Sequence, residues 1–168
     1  MPDQSRTTEP ADAAVADLDA GTITRTVTIA APRDRVWEAL ATPEHIETWW
    51  GHPSTFPDGW RAGSVGSFSW QGTPYPVRLD VINPPAELVL TWGDLNGELD
   101  ETSTTVHFTL EAHDGGTRLT VLESGFLNKP AAARRAAMEE NTSGWNAVLD
   151  WLAEFVTTGR APQHEGQP

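Results

Sequence analysis

Hydrophobic residues near the end of the chain recur every three or four positions between Gly144 and Thr157. This spacing predicts an amphipathic α-helix, because residues three and four apart lie on one face of a helix. The polar side of the same helix carries Asp150 and Glu154, which we interpret as a solvated face. An apolar stripe of this kind requires an apolar partner surface elsewhere in the chain. The stripe is formed by Trp145, Val148, Leu149, Leu152, Phe155 and Val156.

Upstream of this helix, hydrophobic and polar residues alternate, which is typical of β-strands with one buried face. The first strand begins at Thr22 and places Arg25 on its apolar face, where the side chain either lies at the strand's open end or meets a carboxylate. The turns between later strands include residues 72–74 and 113–116, which are rich in glycine. Five further strands are predicted, at Val65–Gln71, Tyr75–Asn83, Glu87–Trp92, Thr104–Ala112 and Thr117–Glu123.

Two short helices are predicted after the first strand, one beginning at Pro32 and the other covering Glu44–Trp50. Residues 51–63 contain several glycines and prolines and are predicted to be a loop. The order is therefore strand, two short helices, five strands and a long helix. Strands joined by hairpin-length turns form an antiparallel sheet, and one long helix covers only one face of it. The sequence thus predicts an α+β domain in which a six-stranded sheet curls around the final helix.

The folded domain is expected to span residues 22–158. The acidic start, residues 1–21, is predicted to be a disordered tail, with a weak helix around residues 11–18 as the alternative. Residues 159–168 are predicted to be a flexible C-terminal tail.

The balance of charge narrows the range of partners. With 11 basic and 24 acidic residues the formal net charge is −13. This charge argues against nucleic acid or an anionic membrane, since phosphate binding needs clustered Lys and Arg. The absence of cysteine excludes disulfides, thiolate catalysis and cysteine-ligated metals. There is no run of about 18 apolar residues, so membrane insertion is not expected. The start lacks the pattern of a secretory signal, and a cytoplasmic location is expected.

The sequence contains no recognisable catalytic, cofactor-binding or metal-binding motif, so no cofactor and no metal are expected. The five histidines, among them His107 and His164, lack the HxxxH and HExxH spacings. The acidic residues 93–101 are interpreted as a hairpin tip; the alternative is a cation site, but the ligand spacing of calcium loops is missing. Acid–base chemistry in a pocket leaves no linear signature, and its candidates are His52, Tyr75 and Arg25, each with a structural role as the alternative.

Aromatic composition points to a spacious interior. The chain has eight Trp, five Phe and one Tyr. Bulky rings line most small-molecule pockets, although core filling is the alternative for any single Trp. Gly144 lies directly before Trp145, inside the predicted helix, where glycine costs about 1 kcal/mol relative to alanine. A glycine at this position would allow a close approach of the helix to the sheet or leave room in a cavity. The alternative is that it breaks the helix.

A resemblance to a known family is carried by three segments: ITRTVTIAAPRDRVWEALATPEHIETWW, TTVHFTLEAHDGGTRLTVLESGF and GWNAVLDWLAEF. In order and spacing they resemble START-like, or helix-grip, proteins, and specifically the branch similar to the C-terminal domain of the activator of Hsp90 ATPase. The resemblance covers roughly residues 22–157. It implies a six-stranded antiparallel sheet that grips the C-terminal helix, with a cavity between them. Related members bind lipids, sterols, polyketides or hormones, some are cyclases, and the eukaryotic branch stimulates a chaperone ATPase; the fold alone does not decide between these.

The resemblance implies that the side chains facing inward beside the helix bind the ligand. Ordinary core packing is the alternative for each of them. They come from the final helix, from the sheet, and from the second helix with its loop at the mouth of the cavity. They are Trp145, Leu149 and Leu152; Phe68, Trp70, Val77, Leu79, Leu90, Trp92 and Phe108; and Trp49, Trp50 and Trp60.

Three functions are therefore considered, for a monomer or homodimer. The favoured one is binding of a small apolar or amphipathic molecule without catalysis, or with weak catalysis. The second is a chaperone-associated role, as in a stress response, although residues 1–21 are too short for the N-terminal domain of that activator. The third is a cyclase or dehydratase type of enzyme, which a cavity holding His or Tyr beside a buried carboxylate would favour.

Overall fold

One antiparallel sheet of eight strands runs through the part of the chain that the computed structural model describes, residues 12–162. Its strands lie in the order β1-β2-β8-β7-β6-β5-β4-β3, so every neighbour except β2–β8 is also a neighbour in sequence. The strands are β1 (Val15–Asp17), β2 (Thr22–Ile29), β3 (Ser54–Thr55), β4 (Val65–Trp70), β5 (Thr73–Asn83), β6 (Glu87–Trp92), β7 (Thr104–His113) and β8 (Gly116–Ser124).

Three α-helices complete the fold. Two short ones follow β2, namely α1 (Arg33–Ala41) and α2 (Pro43–Trp50), and the long α3 (Ala131–Thr158) follows the sheet. The α3 helix is continuous through Gly144, so a helix break at that residue is excluded. It ends at Gly159, whose φ of 77° allows its N–H to cap the helix at the carbonyl of Phe155. None of the helices in residues 12–162 is long and apolar enough to cross a membrane.

The α+β architecture and the antiparallel sheet agree with the prediction, but the strand number does not: the sheet has eight strands and not six. The two strands that were not predicted, β1 and β3, are three and two residues long, which is too short to show alternation. They form by pairing with the edges of β2 and β4. Residues 15–17 thus belong to the sheet and not to the predicted tail, whose residues 1–11 lie outside the described residues.

The hairpin between β4 and β5 is tighter than predicted. Gln71 and Gly72 have φ values of 53° and 85°, as in a two-residue turn with both central residues left-handed. Thr73 and Pro74 therefore already belong to β5, where they pair with Trp70 and Ser69 of β4. Pro74 is tolerated in a strand only where its missing N–H is not needed for the ladder.

The core lies between one face of the sheet and α3. The predicted stripe of α3 faces inward: Trp145, Val148, Leu149, Leu152 and Val156 are buried, while Phe155 is only partly buried. Inward-facing residues of every long strand join them in one cluster, as do residues of α1 and α2. Burying this stripe supplies the apolar contact that a helix of 28 residues needs to be stable beside a sheet.

A buried arginine ties the first long strand to α3. Arg25 is 5% exposed, and its guanidinium donates to the backbone carbonyls of Trp145 and Asn146 at 3.0 and 2.7 Å. It also forms an ion pair of 2.8 Å with Asp150. Of the two predicted places for Arg25, the structure therefore selects contact with a carboxylate. Asp150 is exposed, yet it is the ion-pair partner of a buried arginine and not only part of a solvated helix face.

Candidate functional site

A pocket of about 410 Å³ opens at one end of the sheet, beside the middle of α3. Antiparallel pairing brings the ends of β4 and β6 next to the beginnings of β5 and β7, and α2 ends over the same region. The volume is within the range of pockets that hold drug-sized ligands. The lining residues are Trp50, His52, Trp70, Tyr75, Trp92, Gly93, Asp94, Leu95, Thr104, Lys129, Ala137, Glu140, Asn141, Gly144, Trp145 and Val148.

Three tryptophans from three different elements form the inner aromatic wall. Trp92 of β6 and Trp145 of α3 stack with ring centroids 5.8 Å apart and planes 13° apart. Trp50, at the end of α2, lies 6.0 Å from Trp92 and 6.2 Å from Trp145. Stacked and edge-on arrangements at these distances are the favoured geometries of aromatic pairs. The wall is therefore a rigid set of rings and not a loose apolar lining.

A buried carboxylate stands behind this wall. Glu123 of β8 is fully buried and accepts hydrogen bonds from the indole N–H groups of Trp92 and Trp145 at 3.0 and 2.9 Å. It also accepts from the hydroxyl of Thr104 at 2.6 Å and from the amide of Asn141 at 3.1 Å. Burial of a charge is costly unless its oxygens are hydrogen-bonded, and both oxygens of Glu123 are. All four donor residues line the pocket.

A second polar pair, His52 and Tyr75, lies beside the aromatic wall, with ring centroids 5.0 Å from Trp50 and 5.9 Å from Trp92, respectively. His52 Nδ1 and the Tyr75 hydroxyl share a hydrogen bond of 2.7 Å, and their rings meet edge to face at 5.8 Å. Burial raises the pKa of the Tyr75 hydroxyl far above its usual value. The hydroxyl therefore stays protonated at alkaline pH values at which an exposed tyrosine ionises. Two of the three candidates for acid–base chemistry are thus in the pocket, and the third, Arg25, is not among the lining residues.

Gly144 forms part of the pocket wall on α3. A Cβ atom added to it would meet no atom within 4 Å, so this glycine does not serve a close approach of helix to sheet. With a helix break also excluded, room in the cavity is the one use of the three that remains.

The predicted binding residues divide into two groups. Trp50, Trp70, Trp92 and Trp145 line the pocket. Trp49 is fully buried, donates its indole N–H to the carbonyl of Ala39, and stacks on Trp50 from behind. The remaining residues pack in the core outside the pocket lining: Trp60, Phe68, Val77, Leu79, Leu90, Phe108, Leu149 and Leu152.

The polar network around Glu123, behind the aromatic wall, was not predicted from the sequence. Glu123 alternates in phase with Leu119 and Val121 of β8, which places an acid on the apolar face of a predicted strand. That phase was the available signal. Thr104 stands in the same relation to Val106 of β7. Nothing in the sequence indicates that Glu123 accepts hydrogen bonds from Trp92, Trp145 and Thr104.

Within residues 12–162, no group of three or more His, Asp or Glu side chains is arranged to hold a metal ion. In the acidic segment 93–101, Asp100 instead accepts hydrogen bonds from the hydroxyl and N–H of Thr102, which lower the pKa of its carboxyl. His107, on β7, contacts Glu87 of the neighbouring strand at 2.8 Å on the outer face of the sheet. His164 lies outside the described residues.

Comparison with known proteins gives one family and several structures. The family model described as Activator of Hsp90 ATPase homolog 1-like protein matches residues 30–157. A comparison with curated proteins finds no match to the sequence. Among solved structures, the crystal structure of DynU16, from the dynemicin biosynthetic locus, is similar with a TM-score of 0.70 and 23% identity. That match covers 83% of this chain and 48% of DynU16, so the chain spans about half the length of DynU16.

Two further structures share the fold over most of their length. CalU16 from Micromonospora echinospora has a TM-score of 0.63 and 23% identity, over 82% of this chain and 77% of CalU16. The Aha1 dimer from Colwellia psychrerythraea has a TM-score of 0.68 and 20% identity, over 83% of this chain and 98% of that one. At these identities the similarity shows a common fold and does not carry a ligand or a partner across.

Proposed function

Because the chain belongs to the Activator of Hsp90 ATPase homolog 1-like family, within the helix-grip superfamily, we propose that it binds a small apolar or amphipathic molecule between the sheet and α3, in the cytoplasm. The observation that carries the proposal is the pocket of about 410 Å³ walled by Trp50, Trp92 and Trp145. Such a wall offers a large apolar contact area at low cost in side-chain entropy, because the rings are already held in place.

Polar groups in the pocket are few and are placed to orient a ligand. They include the hydrogen-bonded pair of His52 and Tyr75, and Thr104 and Asn141, which donate to Glu123. This combination of apolar surface with a small number of fixed polar groups is typical of small-molecule sites. Binding requires no further chemistry from these groups.

The test is a binding screen with a fatty acid, a sterol and a polycyclic aromatic phenol as probes. Three of the eight tryptophans line the inner wall, so a bound probe is expected to change tryptophan fluorescence and to raise the melting temperature. Gly144→Phe places a ring in the pocket and is expected to abolish both effects. Ser143→Phe adds the same ring at the preceding, exposed position of α3, outside this pocket, and serves as the matched control. If no probe alters either signal, or if Gly144→Phe binds as the wild type does, the proposal is wrong.

A chaperone-associated role is the second candidate, and the family match is the observation that favours it. The direct test measures the ATPase rate of purified Hsp90 with and without the protein, and the oligomeric state of the protein by light scattering. A rate that does not change at saturating protein removes this candidate. Monomer and homodimer are both compatible with the pocket proposal.

An enzyme of the cyclase or dehydratase type is the third candidate. It is favoured by the presence of His52 and Tyr75 in the pocket and of Glu123 behind its wall. His52→Ala and Tyr75→Phe would each abolish turnover of a probe that the screen identifies as a substrate. Unchanged turnover in both variants would contradict it.

A further inference from the structure

We infer that the pocket selects a cationic head group, a substituted ammonium carried on an apolar body, over neutral and anionic groups of the same shape. This inference rests on the proposed function, because it names the class of molecule that the same pocket takes. It is drawn from the aromatic faces of the wall and from the balance of charges around them.

Five aromatic side chains line the pocket: Trp50, Trp70, Tyr75, Trp92 and Trp145. The face of each ring carries the negative part of its quadrupole and attracts a cation, tryptophan most strongly. Substituted ammonium groups suit such surfaces because they are weakly hydrated and have no need of direct hydrogen bonds. The stacks cover one face each of Trp50, Trp92 and Trp145, so the attraction that we infer comes from their second faces together with Trp70 and Tyr75.

The carboxylate of Glu123 strengthens the attraction. Its two oxygens accept from the indole N–H groups of Trp92 and Trp145, so a negative charge lies at the edge of both stacked rings. Hydrogen bonds in a buried network polarise the groups that they join, and here they shift electron density toward the ring faces. The other hydrogen-bond partners of Glu123, Thr104 and Asn141, are neutral, so its charge is spread over dipoles and is not cancelled by a cation among these partners.

The remaining charges have the same sign on balance. Asp94 and Glu140 lie at the rim, both exposed. Lys129 is the cationic residue among the described lining residues, and its ammonium group donates to the carbonyl of Thr102 at 3.0 Å. Arg25 lies on the same face of the sheet as Glu123, but its charge is matched by Asp150 at 2.8 Å. An anionic ligand would therefore meet two carboxylates at the rim and one ammonium, with the third carboxylate, Glu123, behind the wall, within a chain of net charge −13.

The experiment compares three probes that differ in charge and little in shape: phenethyltrimethylammonium, its carbon isostere (3,3-dimethylbutyl)benzene, and 2-phenylethanesulfonate. Affinities are measured by tryptophan fluorescence and ligand-observed NMR at about pH 8, where an unperturbed histidine is neutral. The cation is expected to bind about tenfold more tightly than the isostere, as one partly desolvated cation–π contact would give, and the sulfonate more weakly than both. Higher ionic strength should weaken binding of the cation and leave the isostere unchanged.

A charge variant and a neighbouring control locate the effect. Glu140→Gln is expected to weaken binding of the cation about threefold while leaving the neutral isostere unaffected. Glu139→Gln removes the same charge from the adjacent exposed residue, which does not line this pocket, and should have a smaller effect. Equal effects of the two variants would mean that only the overall charge matters, and this would overturn the inference.

The outcomes separate the inference from the function on which it rests. Binding of the isostere as tightly as the cation overturns the inference and leaves the pocket a binding site. The inference is overturned in the same way if the fatty acid, the sterol or the phenol of the binding screen binds and the ammonium probe does not. If neither the three shape-matched probes nor the screen gives a signal that Gly144→Phe removes, both are wrong.

Discussion

Trp92 and Trp145 stack at 5.8 Å, and their indole N–H groups donate to the same carboxylate, that of Glu123. One residue comes from β6 and the other from the middle of α3, so the pair fixes the helix against the sheet at the pocket. The stack and the shared acceptor act together, because each N–H needs its ring in the observed plane. The aromatic wall of the pocket thus holds α3 against the sheet as well as offering a surface to a ligand.

Glu123→Gln is expected to lower the free energy of unfolding by about 2–4 kcal/mol. The amide keeps the shape of the side chain but has one accepting oxygen in place of two. Its NH₂ group would face a donor, so at least one of the four buried donors around it loses its partner. Chemical denaturation followed by tryptophan fluorescence measures the change.

The control for this variant is Glu139→Gln, on the exposed side of α3, which should alter stability by less than about 0.5 kcal/mol. A Glu123→Gln protein as stable as this control would show that the hydrogen bonds of Glu123 do not contribute to folding.

Asp150→Asn is expected to cost about 1–2 kcal/mol, although the residue is 69% exposed. The reason is its partner: Arg25 is buried, and without Asp150 its charge is compensated by backbone carbonyls and by the more distant carboxylate of Asp12, at 3.7 Å. Glu154→Gln, one turn later on the same polar face, should change stability by less than about 0.5 kcal/mol. Thermal unfolding of the two variants side by side makes the comparison, and equal melting temperatures would contradict it.

Secondary structure could be predicted from the sequence where a pattern of hydrophobic residues repeats along the chain. The stripe of α3 and the alternation in the long strands are such patterns. The long strands follow the alternation to within a few residues, whereas α3 begins at Ala131, well before the stripe. The residues of the site were harder to predict, because they come from distant parts of the sequence and meet only in the folded protein. Leu149 and Trp145 belong to one predicted stripe, yet only Trp145 reaches the pocket. Glu123 could be placed on an inner face from its phase in β8, but its donors come from β6, β7 and α3.

Tyr75 predicts a loss of stability at alkaline pH. Burial raises the pKa of its hydroxyl above the usual value of 10.0, so above about pH 10 the unfolded chain releases this proton while the folded chain retains it. The contribution of Tyr75 is therefore complete below that pH and is lost as pH rises, with a limiting slope of about 1.4 kcal/mol per pH unit. Tyr75→Phe should lack this part of the slope in denaturation experiments between about pH 8 and pH 11.

The same effect has an optical signature, because Tyr75 is the one tyrosine in the sequence. Absorbance of the phenolate should appear together with the loss of folded circular dichroism. If the phenolate forms in a protein that is still folded, with a midpoint near the ordinary tyrosine value, the hydroxyl is not held by burial.

Gly144→Ala is expected to stabilise the protein by about 0.5–1 kcal/mol, because alanine favours a helix interior and its Cβ would meet no atom within 4 Å. Gly159→Ala is the matched control: its Cβ would be equally unobstructed, but the φ of 77° at the helix end disfavours any residue except glycine, and the same change should destabilise by about 1 kcal/mol. Denaturation midpoints measure both. A stabilised Gly144→Ala would show that the helix itself does not need glycine at this position, whereas a destabilised Gly144→Ala would show that it needs glycine there for its own packing.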